Sequence, residues 1–293
     1  MSTTSRAAGT QRSGRGPAGS PLASRIIVYA VLIVVALCFL VPFLIMVNTS
    51  IKTLADIRSG TLVSLPIELT LEPWAKAWDR LNGYFFNSIR MVVPAVAIST
   101  MIGALNGYVF SKWRFFGSEA FFTALLFGCF IPFQVILLPM SQTLGRLGIA
   151  QSVVGLIFVH VIYGIPFTTL FFRNYYVSAP TALVEMAKID GAGFFGIFWK
   201  ILIPISVPIF VVAIIWQTTQ IWNDFLFGVS FSGSESQPIT VALNNLVNTS
   251  TGVKEYNVDM AGAIIAGVPT LIVYIVSGKY FLRGLTAGSL AGQ

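Results

Sequence analysis

Hydrophobic positions in this chain come in long runs rather than in narrow stripes. Six stretches are apolar over nearly their whole length: Ile26–Val47, Met91–Phe110, Ala120–Met140, Ile149–Phe172, Ile205–Phe231 and Met260–Gly278. A helix rises about 1.5 Å per residue, so roughly 20 residues cross the hydrocarbon core of a bilayer. The six runs are all near that length and together hold 133 of the 293 residues. The pattern predicts an all-α integral membrane protein with six transmembrane helices. The first run is longer than the apolar region of a secretory signal and lacks a small-x-small cleavage site after it, so it reads as a retained span. Three runs carry marks: Pro132 and Gln134 in the third, the one histidine, His160, in the fourth, and Asp224 in the fifth.

Composition narrows the class. The chain is 55% hydrophobic and 10% charged, with a mean hydropathy of +0.80, whereas soluble domains are about 25% charged. So few charges cannot cover a water-facing globule, which excludes an ordinary soluble enzyme, a disordered protein and a nucleic-acid binder. The formal net charge of +7 is better placed beside a membrane than on phosphates. With the N-terminus inside, the inner segments hold eleven Lys and Arg (Arg6, Arg12, Arg15, Arg25, Lys112, Arg114, Arg173, Lys188, Lys200, Lys279 and Arg283), and the outer segments hold six. The bias predicts both termini in the cytoplasm. Residues 1–25, rich in Ser, Gly and Ala and without an acid, read as a disordered cytoplasmic tail. Outside lie 48–90, 141–148 and 232–259; inside lie a short turn near Lys112–Gly117 and a larger segment, Arg173–Pro204.

Chemistry within the chain has little support. No Gly-x-x-x-x-Gly-Lys-Ser/Thr cradle occurs, and a single histidine excludes a multi-His metal site. Neither Ser nor Cys has an obvious base partner. Cys38 and Cys129 stand alone inside apolar runs and read as small buried hydrophobes. His160 reads as a packing residue before a proton relay. No catalytic residue, cofactor or metal is expected; what remains is movement of a solute across the membrane.

The inner segment is the most structured of the connections. Ser178 and Pro180 are helix-start signals, and Asp190-Gly191 is a stop, which predicts a helix of about ten residues. Glu185 faces water or a partner's cation, and Ala187 permits another backbone to approach. After the turn, Phe194, Ile197, Phe198, Ile201 and Leu202 form an amphipathic stripe, and Pro204 and Pro208 punctuate the approach to the fifth run. By pattern alone this elbow is equally a connector resting on lipid headgroups or a docking knob for a cytoplasmic partner.

Glu185-Met186-Ala187, then Asp190-Gly191-Ala192, then Ile201-Leu202-Ile203-Pro204 resemble the EAA loop of permease subunits of binding-protein-dependent ABC importers. Met186 departs from the central Ala and Ile203 from the usual Leu. Trp222-Asn223-Asp224-Phe225, Gln237-Pro238-Ile239-Thr240 and Lys279 to Gly288 are similar to carbohydrate importers of that family, in particular the smaller permease subunit of maltose, glucose and glycerol-phosphate systems. The resemblance runs from Ile26 to the end. It implies a type I ABC importer permease fold over 26–282 with a coupling loop at about 173–208, and a cytoplasmic tail at 283–293. It implies that Glu185, Ala187, Asp190, Gly191, Ala192 and Pro204 serve coupling to the ATPase, and that Arg283, Gly284 and Thr286 contact it. The loop near 232–259, with Gly233, Gly252 and the apolar run after Ile239, would meet the solute-binding protein. The implied partners are a second permease subunit in a heterodimer, two cytoplasmic ATPase subunits, an extracytoplasmic solute-binding protein and membrane lipid, with no nucleic acid. The implied function is inward transport of a sugar by alternating access in the inner membrane, hydrolysis of ATP belonging to a partner.

On the fifth run, Gln217, Gln220 and Asp224 fall within about 60° of helical arc, with Trp216 and Asn223 extending that face. These five residues form a candidate substrate path, because an ionisable group in a span points to function. They also suit an interfacial aromatic belt. Two other function classes remain beside the sugar importer: an ion-coupled carrier using Asp224, Glu119 or His160, and an ABC permease for a solute that is not a sugar.

Overall fold

The computed structural model describes residues 22–61, 63–113, 115–248 and 254–290, with side chains described as far as Ser277 except at Ala23. The expected N-terminal tail lies almost wholly outside the described residues. Every regular element among them is helical, and β pairing is limited to two isolated bridges, Lys52 with Leu69 and Gln151 with Ser232. The chain divides into two compact units, residues 1–46 and 47–293. The first is described by most of helix α1 (Leu22–Ser50), which is apolar around its circumference as a span is.

The second unit opens with α2 (Leu54–Ser59), whose N-terminus is capped by the Thr53 hydroxyl accepting from the Asp56 N–H. Helix α3 (Glu72–Lys112) has 41 residues and is therefore about 60 Å long, twice the hydrocarbon thickness. The predicted span Met91–Phe110 is its second half, and Glu72–Arg90 prolongs it beyond the apolar segment. Then follow α4 (Ser118–Phe127), α5 (Phe133–Arg146), α6 (Val153–Ser178), α7 (Thr181–Ile189), α8 (Phe194–Ile205), α9 (Val207–Trp222), α10 (Leu226–Phe231), α11 (Ile239–Val247) and α12 (Tyr256–Leu290).

Four helices among the described residues are long and apolar enough to cross a bilayer, namely Ser24–Ser50, Glu72–Lys112, Val153–Ser178 and Tyr256–Ser277. The pair α8 and α9, bent by 79°, offers a fifth crossing. Two of the six predicted runs are therefore not straight helices. The run Ala120–Met140 is split into α4 and α5 around Gly128–Pro132, because Pro132 lacks an N–H and disfavours helical geometry at Ile131. The run Ile205–Phe231 is interrupted at Ser206, between Pro204 and Pro208, and again at Asn223–Phe225. At the second break the Asp224 carboxylate accepts the Gly228 N–H at 3.1 Å and so satisfies a free donor at the start of α10.

The bundle is organised on α3 and α6, which share its longest interface. Gly103 and Gly107 lie one turn apart on α3 and meet Thr168 and Phe172 of α6. A Cβ on Gly107 would stand 2.6 Å from the Phe172 Cβ and 2.7 Å from the Arg173 nitrogen, and one on Gly103 would collide with Thr168. Small residues at four-residue spacing let two membrane helices approach closely enough for dispersion and polar contacts to hold them. The Thr168 hydroxyl donates to the Ser99 carbonyl at 2.9 Å. The Gln217 amide of α9 donates to the Ser99 hydroxyl at 2.8 Å, so one serine ties three helices. Trp222 joins α9 to α12 by donating from Nε1 to the Ala266 carbonyl at 2.9 Å. Replacing Gly107 by leucine is expected to cost about 1–3 kcal/mol by overpacking against backbone; thermal unfolding of the assembled transporter in detergent should show a lowered midpoint.

Outside the apolar segments, Glu255 receives Arg80 at 2.8 Å and Lys76 at 3.3 Å, fastening the start of α12 to the prolonged part of α3. The Arg80 hydrogen bond, aided by Lys76, lowers the Glu255 pKa below its ordinary value. A depressed carboxylate pKa means that this tie stabilises above the unfolded pKa and is lost as pH falls through the folded one. An exposed pair of this kind contributes about 0.2–1 kcal/mol. The difference in thermal midpoint between wild type and Glu255→Gln should persist near neutral pH and vanish in acid, a comparison made by differential scanning fluorimetry.

Candidate functional site

The elbow forms as the local signals predict. Helix α7 ends at Ile189, and Gly191 follows at φ 79°. The Ala192 N–H donates to the Ala187 carbonyl at 2.8 Å and the Gly191 N–H to the Lys188 carbonyl at 3.1 Å. This pair of bonds around a left-handed residue is a Schellman closure. Nothing lies within 4 Å of a Cβ built on Gly191, so glycine is favoured there by backbone conformation and not by crowding.

The elbow is fixed to the bundle by aromatic rings and by carbonyl contacts. Tyr108 of α3, fully buried, stacks on Phe194 and Phe198 of α8 with centroids 4.8 and 5.8 Å away. The Tyr175 hydroxyl donates to the Ile205 carbonyl at 2.6 Å, and the Ser206 hydroxyl donates to the Tyr176 oxygen at 2.9 Å. Lys112 reaches the Ala179 carbonyl at 2.7 Å, and Lys188 lies over the Trp113 ring at 4.6 Å.

Not all of the elbow residues singled out from sequence face the same way. Glu185, Asp190, Gly191 and Pro204 are exposed, whereas Ala192 is half-buried. Ala187 is buried, in one apolar cluster with Tyr108, Val184, Ile197 and Phe198. The close packing that its small side chain allows is thus within this chain. The outward apolar residues are instead Met186, 62% exposed, and Ile189, 85% exposed, and Phe195 and Trp199 are also exposed on α8. The sequence reading gave these four no surface role, because the apolar pattern of a short helix does not say which side is covered.

A second feature lies deeper. Phe133, His160, Tyr163, Gly164, Phe167, Trp216, Gln217, Gln220, Ile221, Asp224 and Phe227 line a cavity of about 220 Å³. Four of the five candidate path residues are brought together there. The fifth, Asn223, is exposed and donates to the Thr219 carbonyl of its own helix at 2.9 Å. Gln217 is buried with its amide engaged by Ser99, and a Cβ on Gly164 would collide with it. His160, read from sequence as a packing residue, is 5% exposed, and its Nε2 has no hydrogen-bond partner. That nitrogen lies 3.9 Å from the Asp224 Oδ2, beyond hydrogen-bonding distance. A buried polar group left unpaired costs about 1–3 kcal/mol. Trp216 and Gln220 also border a more apolar cavity of about 440 Å³, lined with Phe171, Val212, Ile215, Thr219, Tyr274 and Ser277. The third ion-site candidate, Glu119, is apart from this group and pairs with Arg173 at 2.9 Å.

The other regions marked from sequence are placed in part. The apolar residues Ile239, Val241 and Ala242 of α11 are buried. The Ile239 N–H donates to the Ser88 hydroxyl at 2.8 Å, and the Asn87 amide donates to the Glu235 carbonyl at 2.7 Å, so this run packs on its own bundle. Gly252 lies outside the described residues. Arg283, Gly284 and Thr286 fall on α12, which is helical to Leu290, but their side chains lie outside the description.

Comparisons with known proteins identify the family. Residues 83–285 match the family of binding-protein-dependent transport system inner membrane components, and the chain belongs to that family. It is 40% identical over 271 residues to the probable ABC transporter permease protein of Pyrococcus horikoshii, covering 92% of this chain and 98% of that one. It is 33% identical over 284 residues to the xylose/arabinose import permease protein XacI of Haloferax volcanii, covering 89% and 92%. It is also 28% identical over 266 residues to the glucose import system permease protein of Saccharolobus solfataricus, covering 88% and 92%. Among solved structures, a bacterial ABC transporter involved in import of the acidic polysaccharide alginate matches with a TM-score of 0.79 at 24% identity, over 90% of this chain and 99% of that one. The fold is that of a type I ABC importer permease, and the protein is a membrane-embedded permease subunit with sugar-import relatives.

Substituting Gly191 by valine forces an L side chain into left-handed backbone at roughly 1–2 kcal/mol. Hydrogen exchange at the Ala192 amide should then quicken by about 10-fold or more.

Proposed function

We propose that this chain is one of two permease subunits of an ATP-driven importer that carries a carbohydrate inward. It would work with a second, different permease subunit, a pair of cytoplasmic ATPase subunits and an extracytoplasmic solute-binding protein. Residues 26–282 would form the permease domain in the inner membrane, with 1–25 and 283–293 as cytoplasmic tails. The observation that carries this reading is the α7–α8 elbow, rigidly closed at Gly191, fixed through Tyr108, Tyr175 and Ser206, and presenting Met186 and Ile189 outward. The xylose/arabinose and glucose import permeases among its relatives support the carbohydrate assignment.

The mechanism follows from stiffness. When ATP draws the two ATPase subunits together, the seated elbow moves with them. The Tyr108 stack hands that motion to α3, and the Tyr175 and Ser206 bonds link α6 to the α8–α9 bend, so the bundle rocks between inward-open and outward-open forms. Glu185 and Asp190 supply polar contacts at the rim of the seat, and Arg283, Gly284 and Thr286 would add contacts from the C-terminal tail. A second reading, an ion-coupled carrier, draws on the nearness of His160 to Asp224.

Proteoliposomes holding the full set of subunits separate these readings. Uptake of labelled sugar should require ATP and binding protein and be indifferent to a protonophore. Ile189→Cys should cross-link to a cysteine on the ATPase. Uptake that collapses with the proton gradient and proceeds without ATP, or an elbow that never cross-links, would overturn the proposal.

A further inference from the structure

We propose that the segment between α2 and α3, residues 61–71, is a lipid-binding strap that lies in the boundary between the headgroups and the acyl chains of one leaflet. This inference rests on the chain being a membrane permease and not on the carbohydrate reading. Every second residue of the segment from Val63 onward is a large apolar one: Val63, Leu65, Ile67, Leu69 and Leu71. These five are 71–85% exposed, whereas Ser64, Pro66 and Thr70 between them are half-buried. Successive side chains of an extended chain point to opposite sides, so such alternation sets one side against the protein and the other outward. Here the usual sign is inverted, because the outward side is the apolar one.

The bundle itself enforces that exposure. Buried Asp56 of α2 accepts the Ile67 and Glu68 N–H groups at 3.2 and 3.4 Å. The Asn48 amide donates to the Ser64 carbonyl at 2.9 Å, and the Thr70 N–H donates to the Ile51 carbonyl at 3.1 Å. Leu69 also pairs with Lys52 in the isolated antiparallel bridge. The five apolar side chains can turn inward only by breaking these bonds. A contiguous exposed apolar row marks a surface that meets a membrane or a protein.

The choice between those two follows from where the strap is held. Its partners Ile51 and Lys52 come four and five residues after Val47, the end of the first apolar run. At about 1.5 Å per residue that is roughly 6–8 Å, within the headgroup layer beside the hydrocarbon. Arg58, near the end of α2, is exposed and has no ion pair among the described residues. At this depth its guanidinium can meet lipid phosphate while its stem lies along apolar surface. Glu68, the one acid of residues 61–71, is also exposed and still reaches water there. Helix α3 begins directly after Leu71, and its first half carries Trp74, Trp78 and Tyr84, residue types that collect at membrane boundaries. On this placement Glu72–Arg90 run beside the membrane rather than away from it. Pairing with a strand of another protein is the weaker alternative, because Pro66 has no N–H and interrupts the edge that an added strand would use.

The test reads depth residue by residue. Single cysteines replace Leu65, Ile67, Glu68 or Leu69 in a transporter otherwise free of accessible cysteine, and each is labelled with bimane. The transporter is held in nanodiscs of phosphatidylcholine and phosphatidylglycerol. Lipid brominated near the top of its acyl chains should quench Leu65→Cys, Ile67→Cys and Leu69→Cys at least about 2-fold more than Glu68→Cys, as expected of side chains about 5–10 Å into the boundary. Aqueous iodide should give the reverse order, and added solute-binding protein should change neither. All four positions are exposed, so the substitutions spare the fold. Iodide quenching that is equal at all four, or no bromine quenching at Leu65→Cys, Ile67→Cys and Leu69→Cys, would overturn the proposal. Labels shielded from both quenchers by the binding protein or by another subunit would give the row to a protein partner and overturn it as well. The measurement involves no transport, so its outcome holds whatever solute the permease carries.

Discussion

The close approach of α3 to α6 at Gly103 and Gly107 is the contact on which the rest of this bundle depends. In a bilayer the surrounding lipid is as apolar as the helices, so no hydrophobic effect drives them together. What holds them is short-range: dispersion across a backbone-to-backbone interface and a few buried hydrogen bonds. Both need the helices near each other, and both vanish if a side chain is wedged between them. Ser99 adds its polar contacts to Thr168 and Gln217 only because that approach exists. The cavity on the far side of Gln217 inherits its walls from the same arrangement.

This stiffness continues toward the C-terminal end of α3. Tyr108 lies one residue after Gly107, and its ring carries the α8 stack. The glycine pair and the elbow are therefore joined along one helical segment. On the proposed function, a rigid element between the elbow and the helix crossing would pass motion along without losing it in side-chain rearrangement.

Much of this was legible before any coordinates. The membrane class followed from the length of the apolar runs. The start and stop of α7 were readable because Pro180 and Asp190-Gly191 act on their own neighbours. The splits at Pro132 and Ser206 were marked by proline, yet a count of apolar residues passes through them, because hydropathy does not register a missing N–H. The spacing of Gly103 and Gly107 was present in the chain but masked by a search for long runs. The cavity was half visible. Gln217, Gln220 and Asp224 share an arc of one helix, but His160 comes from another, and only the packing of α6 against α9 brings it near. Ala187 looked like a residue for a partner because sequence does not say which side of a short helix is covered.

The glycines of this protein also differ in how far they can drift. Gly191 has open space around it and an unusual backbone angle, so asparagine, which tolerates that angle, is an admissible substitute. Gly103 and Gly107 have no positive φ but no room either, so asparagine there is as damaging as leucine. A change at the elbow turn can thus leave the fold intact, whereas a change at the helix crossing demands a compensating one on α6.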